Sequence, residues 1–181
     1  DGMVASWNLN QPENGELVAK VTTSVYALRF IPDRNLLLIG QNMEGLQVID
    51  LKSKAIHKSV PLPKVPIFDI AYVPETRQVY VALGNGGIAV MGAEDFELRS
   101  MVRKSEQSVR CLAYNKTTNE LAAGYSDNLV RIFDATTMEL KYELPSHTNS
   151  VFTVVYSPDG TLLLTAGRDA HLRVWQVQEK Y

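Results

Sequence analysis

The sequence has 181 residues and one cysteine, Cys111, so no internal disulfide framework and no thiolate metal cluster can be built. That fits a reducing compartment and makes the cytoplasm the default expectation. No apolar run approaches the roughly 20 residues a membrane-spanning helix needs, and the first residues lack the basic and apolar regions of a secretory signal. Neither sign of charge dominates, since 18 Lys and Arg stand against 20 Asp and Glu for a net charge of -2. Without a Lys/Arg block there is no electrostatic footprint for a phosphate backbone or an anionic lipid surface, so neither nucleic acid nor membrane is an expected partner. Helical periodicity is also absent. What is present is ordinary globular material: 45% hydrophobic and 21% charged residues, enough to bury a substantial core.

The organising feature is a period. The words SVYALRF, PIFDIAY, SVRCLAY and SVFTVVY begin at Ser24, Pro66, Ser108 and Ser150, each 42 residues after the last. Their apolar and aromatic positions match as Val25/Leu28/Phe30, Ile67/Ile70/Tyr72, Val109/Leu112/Tyr114 and Val151/Val154/Tyr156, which predicts a first strand in every unit. A second track, Trp7, Ile49, Met91, Phe133 and Trp175, keeps the same spacing of 42 and marks a third strand. Turn signals at Pro32-Asp33, Pro74-Glu75, Asn115-Lys116 and Pro158-Asp159-Gly160 separate first from second strands. AIHKSV, ELRSMV and LKYELP supply fourth strands. One such sheet cannot bury enough apolar surface to offset its ordering entropy, so the units must stack face to face. The predicted class is all-β, a β-propeller of four-stranded antiparallel blades.

These residues resemble the WD-repeat β-propeller family across essentially the whole chain, most closely in SHTNSVFTVVYSPDGTLLLTAGRDAHLRVWQV from Ser146 to Val177. The middle repeats diverge, and RQVYVALGNGGIAV is similar to the YVTN-type bacterial propellers. The resemblance implies a buried hydrogen-bond network of His147, Thr165, Asp169 and Trp175, structural rather than catalytic although its composition is that of a hydrolase triad. Equivalent positions in the other repeats are Ser105, Ala123, Asp127 and Phe133, then Pro63, Val81, Asn85 and Met91, then Val21, Ile39, Met43 and Ile49; only Asp127 is retained.

The boundaries expected are the end of one blade at 1–23, repeats at 24–65, 66–107 and 108–149, and a last repeat at 150–181 lacking its fourth strand, all within one propeller domain. That is about four and a half blades, whereas seven such units need roughly 290 residues. The sequence is accordingly read as the C-terminal part of a larger propeller with a native C-terminus. The missing blades come from the rest of the chain or, alternatively, from another copy.

Chemistry-bearing motifs are sparse. His57, His147 and His171 share no metal-ligand spacing, and no cofactor is expected. Gly84–Gly87 reads as a tight turn and not a phosphate loop, because a strand follows where a helix is required. Cys111 reads as a small core residue. Pro61, Pro63 and Pro66 read as protection of an outer edge, and GAEDFEL (Gly92 to Leu98) as a solvated outer hairpin. In the family, partners bind where the loops entering the first strands emerge; mapped here, these positions are Tyr26, Phe68, Arg110 and Phe152, with Asn42, Gly84, Ser126 and Arg168 beside the turns. Aromatic and arginine side chains suit an interface, while the competing reading has the aromatics capping core layers. The function expected is a non-catalytic scaffold for a protein or peptide partner. The alternative is a metabolite- or metal-binding or enzymatic propeller with a site at the central channel.

Overall fold

The structure is a computed structural model describing residues 1–145 and 147–177; Ser146, which opens the best-matching stretch, and residues 178–181 of the last repeat lie outside the described residues. Among the described residues, all regular structure is β apart from a 3-10 turn at Pro32–Arg34 and one turn residue, Val177. A first pair, β1 (Met3–Asn8) and β2 (Gln11–Lys20), precedes a sheet of β3 (Val25–Ile31), β4 (Leu36–Gln41), β5 (Leu46–Asp50) and β6 (Ala55–Val60). The next two sheets are β7 (Ile67–Val73), β8 (Gln78–Leu83), β9 (Gly87–Gly92) and β10 (Leu98–Arg103), then β11 (Val109–Asn115), β12 (Glu120–Tyr125), β13 (Val130–Asp134) and β14 (Leu140–Leu144). The last comprises β15 (Val151–Tyr156), β16 (Leu162–Gly167) and β17 (Leu172–Gln176). Strands follow chain order in each sheet, and the first strands begin at the second residue of each repeated word, Val25, Ile67, Val109 and Val151.

The chain divides into two compact units, Asp1–Ile67 and Phe68–Tyr181. In the first, Val4, Val18 and Val21 pack with Ile39 and Ile49. Trp7, on the third-strand track, is 57% exposed there. In the second unit the β11–β14 sheet is covered on both faces. Every residue of β12, Glu-Leu-Ala-Ala-Gly-Tyr, is buried. Because successive side chains of a strand point to opposite faces, Leu121, Ala123 and Tyr125 join one cluster with Tyr80, Ile88, Val90 and Phe133, while Ala122 joins another with Cys111, Ile132, Val151 and Leu163. The small residues permit close approach. A Cβ on Gly124 would stand 2.5 Å from Cys111 Sγ and 2.9 Å from Val151 Cγ1.

Polar side chains then pin sheet to sheet. Leu112 N–H donates to Asp69 Oδ2 at 2.8 Å, and Asn115 Nδ2 donates to the Gly160 carbonyl at 2.9 Å. Ser108 and Ser150, the serines that open two of the repeated words, donate to the carbonyls of Gly84 and Ser126 at 2.8 and 3.4 Å. Pro66 stands in the second of the four such positions. It forms an isolated bridge with Asn42, so it guides the chain into β7, and Pro61 and Pro63 lie in the connection after β6 rather than along its edge.

Left-handed residues recur with the same period. Asn35, Arg77 and Asn119 have φ of 53°, 52° and 54°, and Gly86, Asn128 and Ala170 have φ of 84°, 76° and 59°. Lys54, Phe96 and Met138 form a third series at 57°, 55° and 58°. This series corrects the reading of GAEDFEL as solvated, because Phe96 is only 1% exposed and Met138 only 6%. Phe96 and Met138 accept an unfavourable left-handed backbone because the turn drives the side chain inward and burial of a large apolar group offsets the strain, whereas Lys54 in the equivalent turn is exposed.

Candidate functional site

The residues with the most suggestive composition are closed off from solvent. His147 precedes β15, Thr165 lies in β16, Asp169 in the turn after it and Trp175 in β17. His147 Nδ1 is 3.0 Å from Asp169 Oδ2, His147 Nε2 is 2.8 Å from Thr165 Oγ1, and Trp175 Nε1 donates to that same Oγ1 at 3.1 Å. The tautomer that satisfies every group has Nδ1–H donating to the carboxylate and the threonine hydroxyl donating to Nε2. An Asp-His-Thr chain therefore exists. Its hydroxyl, however, is saturated by His147 and Trp175, and Thr165 is 1% exposed, so no substrate can reach it. The geometry ties the loop before β15 to the turn after β16.

Asp169 is the hub. Burial alone would raise its pKa, but the N–H groups of Thr148 and His171 and the ring of His147 hold the carboxyl at about 2. Arg173 Nη1 stands 3.6 Å away as an ion pair. Asp159, in the turn before β16, is likewise held at about 2 by the Ser157 hydroxyl and by Thr161. Both folded-state values lie below the ordinary carboxylate value of about 3.9, so the stability they supply is complete above that pH and is lost as pH falls toward 2. Urea midpoints measured from pH 5 down to pH 2 should accordingly fall less steeply in Asp169→Asn and Asp159→Asn than in the native protein. Parallel curves would show that neither carboxylate is coupled to folding.

Asp127, the one retained equivalent, has found a different partner. Arg131 Nη1 pairs with Asp127 at 2.9 Å and its Nε with Glu143 at 2.8 Å, while its guanidinium carbon lies 4.4 Å from the centre of the Tyr125 ring. Sequence reasoning missed Arg131, although the signal was there: Asp127/Arg131 and Asp169/Arg173 share one spacing and stand one period apart.

A second cluster faces outward. Val109 at the start of β11 pairs with Tyr125 at the end of β12, and Val151 with Gly167, so first-strand starts and the turns after second strands share one end of the sheets. The second residues of successive first strands are Phe68, Arg110 and Phe152. The Arg110 guanidinium carbon lies 3.9 Å from the Phe68 ring centre and 5.4 Å from that of Phe152. Phe152 is 47% exposed, and Phe68 and Arg110 are part-buried. Arg168 is exposed on the neighbouring turn, with its N–H bonded to the Ser150 carbonyl at 2.8 Å. Gly84 and Ser126 serve as the carbonyl acceptors described above, and Asn42 as the bridge to Pro66. Tyr26 holds the matching place in the first unit, 50% exposed.

The remaining candidates are quickly placed. Among the described residues, no group of three or more His, Cys, Asp or Glu could hold a metal ion. Burial first, and then Asp69, pushes the Cys111 thiol up to about 12, which leaves it unreactive at neutral pH. Gly84–Gly87 forms a turn leading into β9, with Gly86 at φ +84°; a Cβ there would lie 1.9 Å from the Ser105 carbonyl oxygen.

Two sequence profiles match, the WD domain G-beta repeat at residues 138–176 and the WD40 domain of anaphase-promoting complex subunit 4 at residues 70–154. The chain belongs to the WD-repeat family. Polyadenylation factor subunit 2 of Candida albicans is 23% identical over 165 residues, covering 91% of this chain and 29% of that protein. Protein groucho of Drosophila melanogaster is 22% identical over 182 residues, covering 96% of this chain and 24% of its own length. This WD-repeat chain thus spans under a third of either relative. A chain in the crystal structure of the mitotic checkpoint complex superimposes with a TM-score of 0.89 at 19% identity, over 99% of this chain and 58% of that one. That likeness establishes the fold: the sheets are blades of a β-propeller, of which this chain supplies a part.

Proposed function

We propose that this WD-repeat chain is a non-catalytic protein-interaction scaffold, and that its docking surface is the end of the blades carrying Phe68, Arg110, Phe152 and Arg168. The observation that carries the proposal is the stacked Phe68, Arg110 and Phe152, part-exposed as the second residues of successive first strands. Arginine and aromatic groups held rigidly lose little entropy on binding, which is why they concentrate interface energy. The closed His147 network supports a non-catalytic role, since the set that resembles a hydrolase triad is occupied in joining loop to strand. The mitotic checkpoint complex, which contains the structural relative, is itself an assembly and supports the docking role. The single buried thiol suits a reducing compartment, and the cytoplasm is the location proposed.

Affinity capture with the intact protein tests this. The paired substitutions Phe68→Ala and Phe152→Ala should lower recovery of specifically bound proteins about tenfold or more while leaving the unfolding midpoint nearly unchanged. Unchanged recovery by a folded variant would overturn the proposal.

A further inference from the structure

The partner's chemistry follows from the charges at this end of the blades; the inference rests on the docking role proposed above. Every acidic side chain nearby is already engaged. Asp127 is paired with Arg131, Asp169 with His147 and Arg173, and Glu106 with Arg103, while Asp69 accepts the N–H groups of Leu112 and Ile70. The cations are not all matched. Arg110 has no hydrogen-bond or ion-pair partner among the described residues; its contacts are the two phenyl rings. Arg168 and Lys104 are exposed, the first on the turn after β16 and the second just past β10, whose last residue Arg103 pairs with Gly87 at the same end. A chain with a net charge of -2 thus presents an excess of positive charge at one end.

The stack decides what that charge can recognise. Aromatic rings over a guanidinium shield it from water and restrict its rotation, and its N–H donors remain at the periphery in the fork geometry that fits a carboxylate. The half-exposed ring of Phe152 beside it offers an apolar contact of one side chain's width. A nucleic-acid backbone needs a track of many cations, and three scattered ones do not supply it. We infer that the Phe68, Arg110 and Phe152 stack recognises an acidic peptide segment, with Arg110 pairing bidentately with an Asp or Glu carboxylate and Phe152 packing on an adjoining apolar side chain. Arg168 and Lys104 steer the acidic segment in.

The test is fluorescence anisotropy with the intact protein and short labelled peptides carrying Glu-Leu or Asp-Leu pairs, compared with the same peptides carrying Gln-Leu or Asn-Leu. The acidic set should bind and the amide set should not, with affinity falling as salt rises. Arg110→Gln should weaken binding roughly tenfold or more, and Arg110→Lys should recover only part of the loss because a lysine ammonium lacks the fork. Equal binding of the amide peptides, no binding of either set, unchanged affinity in Arg110→Gln, or preference for a phosphoserine peptide or a single-stranded RNA would each overturn the carboxylate assignment. If those peptides fail while the Phe68/Phe152 substitutions still abolish capture of natural partners, the docking face stands and only the acidic chemistry falls. The acid-versus-amide comparison uses the unmodified protein, so it decides the matter even if an Arg110 variant does not fold.

Discussion

Replacing His147 with alanine is expected to lower the free energy of unfolding by about 3 to 4 kcal/mol, a large share of what holds a typical domain together. The ring is fully enclosed, with side-chain exposure of 0% against 2% for the Asp169 side chain it touches. Its removal leaves a cavity, strips a donor from the carboxylate and leaves the Thr165 hydroxyl without its acceptor. Each defect destabilises by itself, and together they release the loop before β15 from the turn after β16. Chemical denaturation of the intact protein reads the effect directly. A loss under about 1 kcal/mol would mean that water replaces the imidazole and that the network is open to solvent.

Phe133→Ala should be comparably severe, at about 3 to 5 kcal/mol, for a different reason. Phe133 is one period before Trp175 but makes no hydrogen bond through its side chain, and it is 0% exposed between β11–β14 and the preceding sheet. Where the last blade has Thr165 under Trp175, this blade has Ala123 in the same cluster as Phe133, so a polar clasp has been exchanged for packing. The cost is then transfer and cavity energy alone. Phe133→Leu, which refills much of the volume, should recover most of the stability, whereas a polar contribution would not be restored by leucine. A Phe133→Leu variant as unstable as Phe133→Ala would contradict the packing account.

The starts of the first strands were legible because the sequence carries a similar word four times, and they fall at Val25, Ile67, Val109 and Val151 as its apolar pattern predicted. The partners within the last blade were legible for a related reason: His147, Thr165, Asp169 and Trp175 resemble a family set, and the structure joins them by hydrogen bonds. Arg131 was not legible, since a charged residue in a strand reads as solvent-facing until the next sheet covers it and Asp127 and Glu143 converge on it. Phe96 was misread because its neighbours are acidic, and composition averages over a turn that sends one side chain inward. Nor could the sequence show that Phe68 and Phe152 flank Arg110, residues a full period away in each direction.

The sequence by itself therefore determined the repeat, its four-strand pattern and the all-β class, because those depend on local periodicity and turn chemistry. Only the tertiary structure decided which Asp pairs with which cation, which turn residue is buried and which arginine is left without an anion. Those outcomes depend on what the adjoining sheet places within a few ångströms, and in a stacked repeat fold the neighbour across the interface is a whole period distant along the chain.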